Sequence, residues 1–333
     1  MLVGLFRKSH WYTPVLLVVA GSLLWIDSIW HPDRLPLHAD LSSGPLYHLI
    51  LPLLELSPLV SLLVAFTILI VQVLYINHIA TLGEFTDRFS ALAALIYLLI
   101  MSSTTTMIDV HPVLFANLFL ILALNKIFKA NQEHLVMVEV FDVGFLTALA
   151  GLFYFPAMAI FLLLIMSLFV YYLISMRAIL AALFGVLTPF VFLGIYYFMT
   201  DKLESQIGAV AIHIEPLKIL YGSPNMFEQV FMLTIGIMAM VAFLRLLLIF
   251  MPDKPIRMRK RIMVLFLFFV ISLISYTIAT DYIHIHHGMV AIPLSISLAS
   301  FFDDMGRKKL SESVFGILVL VVLVSRFSVY FNF

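Results

Sequence analysis

Long uncharged apolar runs constrain this chain most, and nearly all of its Lys and Arg residues lie in the gaps between them. Apolar residues make up 63% of the 333 residues and charged residues only 11%, and a soluble domain carries about twice that charged fraction. About 20 apolar residues cross the hydrocarbon core of a bilayer as a helix. Spans must be helices or a closed barrel, because backbone groups in lipid have to bond internally. Barrel strands alternate polar and apolar residues. These runs do not, so the sequence predicts an all-α, polytopic helical membrane protein.

The runs predict about eleven transmembrane helices in a single integral membrane domain over residues 1–333, with no soluble domain. The largest external loop is expected over about residues 200–227, and an interfacial helix over Tyr47–Leu56. The predicted spans are 11–30, 57–77, 90–107, 113–128, 140–155, 157–176, 178–199, 229–250, 262–280, 284–302 and 313–331.

The stretch between Asp142 and Arg177 carries no charge and decides the topology. Its 34 residues would measure about 51 Å as one helix, which is long for one span and short for two. Basic residues in short loops stay on the cytoplasmic side. Two short crossings that turn at Pro156 satisfy this rule, whereas one crossing would place nine downstream basic residues outside. Gly144, Ala148 and Gly151 share one face of the first short helix, which predicts close packing on a neighbouring helix.

This topology places 14 of the 19 basic residues on the cytoplasmic side and three outside. It predicts a bacterial inner-membrane protein with a cytoplasmic N-terminus and an external C-terminus. The basic residues assigned to the cytoplasmic side are Arg7, Lys8, Arg88, Lys126, Lys129, Arg177, Lys254, Arg257, Arg259, Lys260, Arg261, Arg307, Lys308 and Lys309.

The external side instead collects aspartates and histidines. The first external loop carries Asp33, Arg34, His38 and Asp40. Asp27 lies just inside the preceding span. An acid within a span is energetically costly and usually has a partner or a functional role. The second loop carries Asp109 and His111 behind a run of hydroxyl residues.

The fifth external loop carries Asp281, His284 and His287, spaced three residues apart. On a helix these side chains share one face, so they are able to hold a phosphate or a metal ion such as zinc. The alternative is a set of interfacial histidines that close a helix end without a ligand.

Several classes of activity are excluded by composition. The chain has no cysteine and a net charge of zero. The zero net charge gives no indication of a nucleic-acid partner. The chain contains no GxxxxGK[ST] or GxGxxG motif, so no nucleotide is expected as a partner.

Four features form a pattern over residues 11–200. They are the acid-bearing first loop, the following segment GPLYHLILPLLE, Asp109 between the third and fourth spans, and the helix pair in FDVGFLTALAGLFYFPAMAIF. This pattern resembles the membrane domain of GT-C glycosyltransferases, which use polyisoprenyl-phosphate sugars. It is also similar to small polytopic inner-membrane proteins of Bacteroidota with GPLY and GLFYFP-type elements. The resemblance departs from the GT-C pattern in having no adjacent Asp-Glu pair in the first loop and no DxD in the second.

The GT-C resemblance implies transfer of a sugar at the outer face, with Asp33 or Asp40 as the catalytic acid and Asp109 in the place of the second acidic motif. Arg34, His38, His111 and His284 would bind the substrate phosphate, and a divalent cation is the one cofactor considered. Two alternatives stay open: a non-catalytic membrane subunit of an envelope or secretion complex, and a lipid or solute transporter. Expected partners are membrane lipids, a polyisoprenyl-phosphate-linked sugar and other envelope proteins.

Overall fold

The described part of the chain is a helical bundle. The computed structural model describes residues 2–7, 12–31, 43–129, 137–204, 226–277, 283–305 and 308–328, and apart from a bridge between Ser43 and Tyr154 their regular structure is helical. The α-helices are α1 (Leu2–Arg7), α2 (Thr13–Trp30), α3 (Pro45–Leu54), α4 (Pro58–Leu82), α5 (Leu92–Met101), α6 (Pro112–Lys129), α7 (Met137–Phe153), α8 (Phe161–Tyr171), α9 (Met176–Met199), α10 (Met226–Arg245), α11 (Ile256–Ile274), α12 (Ile283–Asp303) and α13 (Lys308–Arg326).

Six helical segments among the described residues are long and apolar enough to cross a bilayer. This confirms a helical membrane protein, and a helix also occupies each place where the sequence predicted a span. The remaining helices are shorter or carry more charge, so the eleven crossings stay a prediction. The six segments are Thr13–Trp30, Pro58–Leu82, Pro112–Lys129, Met176–Met199, Met226–Asp253 and Ile285–Asp303.

Helix α5 is shorter than the predicted span 90–107. It covers ten residues, about 15 Å of helix, which is half of a typical hydrocarbon core of about 30 Å. The run Ser102–Thr106 follows it, and hydroxyl side chains compete with the helix for backbone hydrogen bonds. The end of the predicted span is therefore a polar loop with a single 3-10 turn at Thr105–Met107.

The predicted turn between two short helices is present after α7. Helix α7 ends at Phe153, a 3-10 turn covers Phe155–Ile160 and α8 follows. The Gly44 N–H donates to the Phe153 carbonyl at 2.8 Å, so the residues before α3 are fixed to this turn. Helix α3 covers Pro45–Leu54, close to the predicted interfacial helix, and Leu53 and Leu56 are exposed at its end.

Helices α7 and α9 pack closely against each other through two glycines. A Cβ on Gly144 would lie 2.5 Å from the Ala182 carbonyl oxygen, and a Cβ on Gly185 would lie 2.2 Å from that of Phe141. Only glycine allows backbones to approach this closely. The predicted close packing is confirmed for Gly144, whereas Gly151 lies against Met158 in the following turn.

Helix α12 fills the centre of the bundle, and its residues from Ile285 to Ser300 are all buried. Polar groups in the surrounding helices hold it. The Asn117 amide donates to the Gly288 carbonyl at 2.8 Å and to the Tyr97 hydroxyl at 3.1 Å. Tyr97 in turn donates to Gln72 Oε1 at 2.9 Å. A chain of hydrogen bonds therefore connects α4, α5 and α6 to α12 in the core.

Candidate functional site

Several of the basic residues that the sequence assigned to the cytoplasmic side meet at one end of the bundle, here called the basic end, and Arg245 joins them. Among the residues that the structure describes, four ion pairs form there, each between two different segments of the bundle. They are Arg7–Asp303 at 3.1 Å, Arg261–Glu84 at 3.5 Å, Lys126–Asp142 at 2.7 Å and Arg245–Asp304 at 2.7 Å.

Two buried cations at the basic end also close helix C-termini. Arg261 donates to the Phe128 carbonyl at 3.2 Å near the end of α6, and Lys260 donates to the Tyr171 carbonyl at 3.4 Å at the end of α8. Positive charge at a helix C-terminus is favourable because the last carbonyls lack helical partners. The basic residues of α11 therefore have a structural role.

The other end, here called the polar end, is built from the loop Ser102–His111, the start of α12 and the turn after α7. Helix α6 connects the two ends, since it starts after His111 and finishes at Lys129. The loop is held on several sides. The Trp25 indole donates to Ser102 Oγ at 3.0 Å, and the Tyr47 hydroxyl donates to the Val110 carbonyl at 3.0 Å.

Asp109 is the predicted site residue with the most distinctive surroundings. Its side chain is 3% exposed. Oδ1 accepts from the Val110 N–H at 2.6 Å and from Ser61 Oγ at 3.4 Å, and Oδ2 has no hydrogen-bond partner among the described residues. Burial raises the pKa of Asp109 to about 6, and the bonds from Val110 and Ser61 oppose this rise. The carboxylate therefore changes its charge close to neutral pH.

His111 closes the start of α6. Its Nδ1 accepts from the Leu114 N–H at 3.1 Å, and the ring is fully buried. This is the N-cap arrangement, in which a side chain satisfies an otherwise unbonded helix N–H. Because Nδ1 accepts, the neutral ring carries its proton on Nε2. The predicted role of His111 in substrate binding is not tested by this contact.

His286 and His287 are neighbours on α12 with different surroundings. His286 Nδ1 lies 2.8 Å from the Tyr154 hydroxyl, and its Nε2 lies 3.1 Å from the Ser272 carbonyl. Because a carbonyl only accepts, Nε2 donates to Ser272 and Nδ1 accepts from Tyr154. His287 Nε2 lies 3.4 Å from Ser103 Oγ, and its ring contacts Phe231 at 5.8 Å between centroids.

The remaining predicted site residues cannot be placed against this cluster. Asp33, Arg34, His38, Asp40 and Asp281 lie outside the described residues, as does the side chain of His284. The proposed metal site at Asp281, His284 and His287 therefore stays a prediction. Within the described ranges, no group of three or more His, Asp or Glu side chains is close enough to hold a metal ion.

Two charged residues near the polar end have partners that the sequence did not identify. Asp27 Oδ1 lies 3.6 Å from His31 Nδ1, one turn along the chain from α2. Arg326 is 1% exposed and donates to the Leu24 carbonyl at 3.2 Å and to Ser28 Oγ at 3.0 Å. It therefore anchors α13 on α2.

Sequence reasoning also missed four residues that hold this end together. Tyr47 and Ser61 contact the Asp109 loop, and Tyr154 and Ser275 contact His286. Tyr154 and Tyr47 lie within the GLFYFP and GPLY elements, which was the one available signal.

The comparisons with known proteins give no match. No family model matches the chain, no curated protein matches it and no solved structure matches it. The polar end presents a buried carboxylate, the three imidazoles of His111, His286 and His287, and a row of hydroxyls.

Proposed function

We propose that the protein is a GT-C-like enzyme that transfers a sugar from a polyisoprenyl-phosphate donor at the outer face of the inner membrane. The six apolar helices support an integral membrane protein. The proposal of sugar transfer depends mainly on Asp109. A buried carboxylate with a pKa of about 6 and one unbonded oxygen suits a general base, because proton transfer is most efficient when the pKa of the base lies near the working pH.

In the proposed reaction, Asp109 Oδ2 removes the proton from an acceptor hydroxyl. The hydroxyl oxygen then bonds to the anomeric carbon of the donor, the bond from that carbon to the phosphate oxygen breaks, and polyisoprenyl phosphate leaves. Asp33 and Asp40 are the alternative bases implied by the resemblance. Arg34, His38, His111 and His284 are the proposed phosphate ligands, and a divalent cation is the proposed cofactor.

A second candidate is a non-catalytic membrane subunit of an envelope assembly. The 3% exposure of Asp109 favours it, because a catalytic carboxylate has to be reached by the acceptor. In that case Asp109 only holds the loop between α5 and α6 in place, through its bonds to Val110 and Ser61, and no sugar is transferred.

The test is transfer of a labelled sugar from its undecaprenyl-phosphate carrier to an added lipid, glycan or protein acceptor by the purified protein in lipid vesicles. Asp109→Asn, Asp33→Asn and Asp40→Asn are compared with Asp304→Asn, whose side chain is 48% exposed at the basic end. Loss of a general base lowers the rate by about 100-fold or more, and the Asp304 variant should retain the wild-type rate. No transfer by the wild-type protein, together with co-purification of a stable partner, would favour the non-catalytic subunit.

A further inference from the structure

A cavity of about 290 Å³ lies among α5, α10, α11 and α12. The Phe243 ring on α10 stacks on Phe269 of α11 with 4.5 Å between centroids and closes the cavity toward the basic end. Toward the polar end it reaches Phe231 and His287, whose rings contact each other. Helices α10 and α11 therefore touch at their phenylalanines and separate beyond them.

The wall of this cavity is almost entirely apolar. Among the described lining residues, Tyr276 and His287 are the two with polar side chains. A buried water needs two to four polar partners, and an engineered apolar cavity of roughly 150 Å³ stays dry and binds benzene. Two polar groups at one end are too few to hydrate a volume of this size, so its contents should be hydrocarbon.

One side of the cavity reaches the surface of the bundle. The lining residues Met240 and Leu273 are 57% and 44% exposed, and Gly236 is exposed between them. Met240 and Gly236 belong to the candidate span Met226–Asp253, so this opening faces the bilayer. What enters from this side is a component of the membrane.

We propose that this cavity binds one hydrocarbon chain of a membrane lipid, which enters sideways between α10 and α11. The chain lies against Val290 and Leu294 of α12, and the lipid's polar end is directed toward His287 and Tyr276. Methionines at positions 232 and 240 suit such a guest, because the unbranched thioether side chain adapts to irregular apolar shapes. The proposal does not depend on sugar transfer and stands or fails separately from it.

Two matched glycine variants test the proposal. A Cβ on Gly236 would meet no atom within 4 Å, and the same is true of Gly194 on α9, which lies far along the chain from the cavity. Gly236→Phe therefore fills the cavity without disturbing the backbone, whereas Gly194→Phe adds the same ring elsewhere. The probe is a phosphatidylethanolamine with a photoreactive diazirine in one acyl chain, reconstituted with the purified protein in nanodiscs.

Peptide mapping after illumination should show the wild-type label concentrated on α10, α11 and α12 residues of the cavity. The Gly236→Phe variant should lose the cavity label and retain the background label on α9. The Gly194→Phe variant should keep the cavity label. Competition with undecaprenyl phosphate distinguishes the sources of the chain: displacement at equimolar concentration assigns an isoprenyl chain, and no displacement assigns an acyl chain. Equal labelling of cavity and α9 residues, or unchanged cavity labelling in Gly236→Phe, would overturn the proposal. Protein–protein cross-links at the cavity in place of lipid label would also overturn it.

Discussion

The two ends of the bundle hold their polar side chains in opposite ways. At the basic end, Arg245 and Asp304 form an ion pair with 25% and 48% of their side chains exposed. At the polar end, Asp109 and His286 are buried and bond mainly to backbone groups and hydroxyls. Solvated ion pairs contribute little to stability, whereas buried polar groups are costly unless every bond is made. Apart from its buried Lys260, Arg261 and Asp303, the basic end should therefore tolerate substitutions better than the polar end, where buried groups constrain the geometry.

The largest expected contrast between the two ends is chemical access. Because the chain has no cysteine, single substitutions give clean labels. His31→Cys at the polar end should react fully with a membrane-impermeant maleimide in intact cells. Glu84→Cys at the basic end, 62% exposed as glutamate, should react only after the cells are opened. The reverse pattern would invert the proposed orientation, and labelling of both would show that the ends do not lie on different sides.

The next effect is the pH dependence of stability caused by Asp109. Its folded pKa of about 6 lies above the usual value of 3.8, so the ionised form is disfavoured in the folded protein. The wild-type protein should lose stability as pH rises from about 4 to about 6, by roughly 3 kcal/mol at most.

Asp109→Asn removes this penalty. Its melting temperature should match the wild type at about pH 3.5 and exceed it at pH 7.5, as measured by thermal unfolding in detergent. Ser61→Ala is the control, because it removes one bond to Asp109 and leaves the carboxyl in place. A lower melting temperature of Asp109→Asn at pH 7.5 would show that the carboxylate stabilises the loop.

The smallest effect is expected for the exposed ion pair at the basic end. A double-mutant cycle with Arg245→Gln and Asp304→Asn should give a coupling energy below about 1 kcal/mol, because solvent and salt screen the pair. Unfolding in detergent at low and high salt measures it. A coupling energy several times larger and insensitive to salt would contradict this. It would mean that the basic end depends on specific contacts as strongly as the polar end does.

The sequence predicted helix positions well because hydrophobicity and charge are local properties. The short pair around Pro156 and the contact at Gly144 followed from the positive-inside rule and from small residues on one face. Helix α5 was predicted too long because mean hydropathy does not account for the hydroxyls from Ser102 to Thr106, which compete for the backbone hydrogen bonds of the helix.

The candidate site was harder to predict, because it depends on contacts between distant segments. Asp109 and His111 were identified by type and by their loop, but the burial of Asp109 and the cap formed by His111 are tertiary and local-geometry effects. The link between Tyr154 and His286 joins residues 132 positions apart. No periodicity or motif in the sequence indicates such a pair.

The central position of α12 has a consequence for biosynthesis. This helix is translated after the helices that enclose it, yet it has almost no surface left for lipid. The earlier helices therefore cannot complete their packing until residue 303 has been made, and until then the Asn117 amide lacks its partner, the Gly288 carbonyl. A chain that stops before residue 283 would lack the helix around which the described bundle packs, so the core forms late in synthesis.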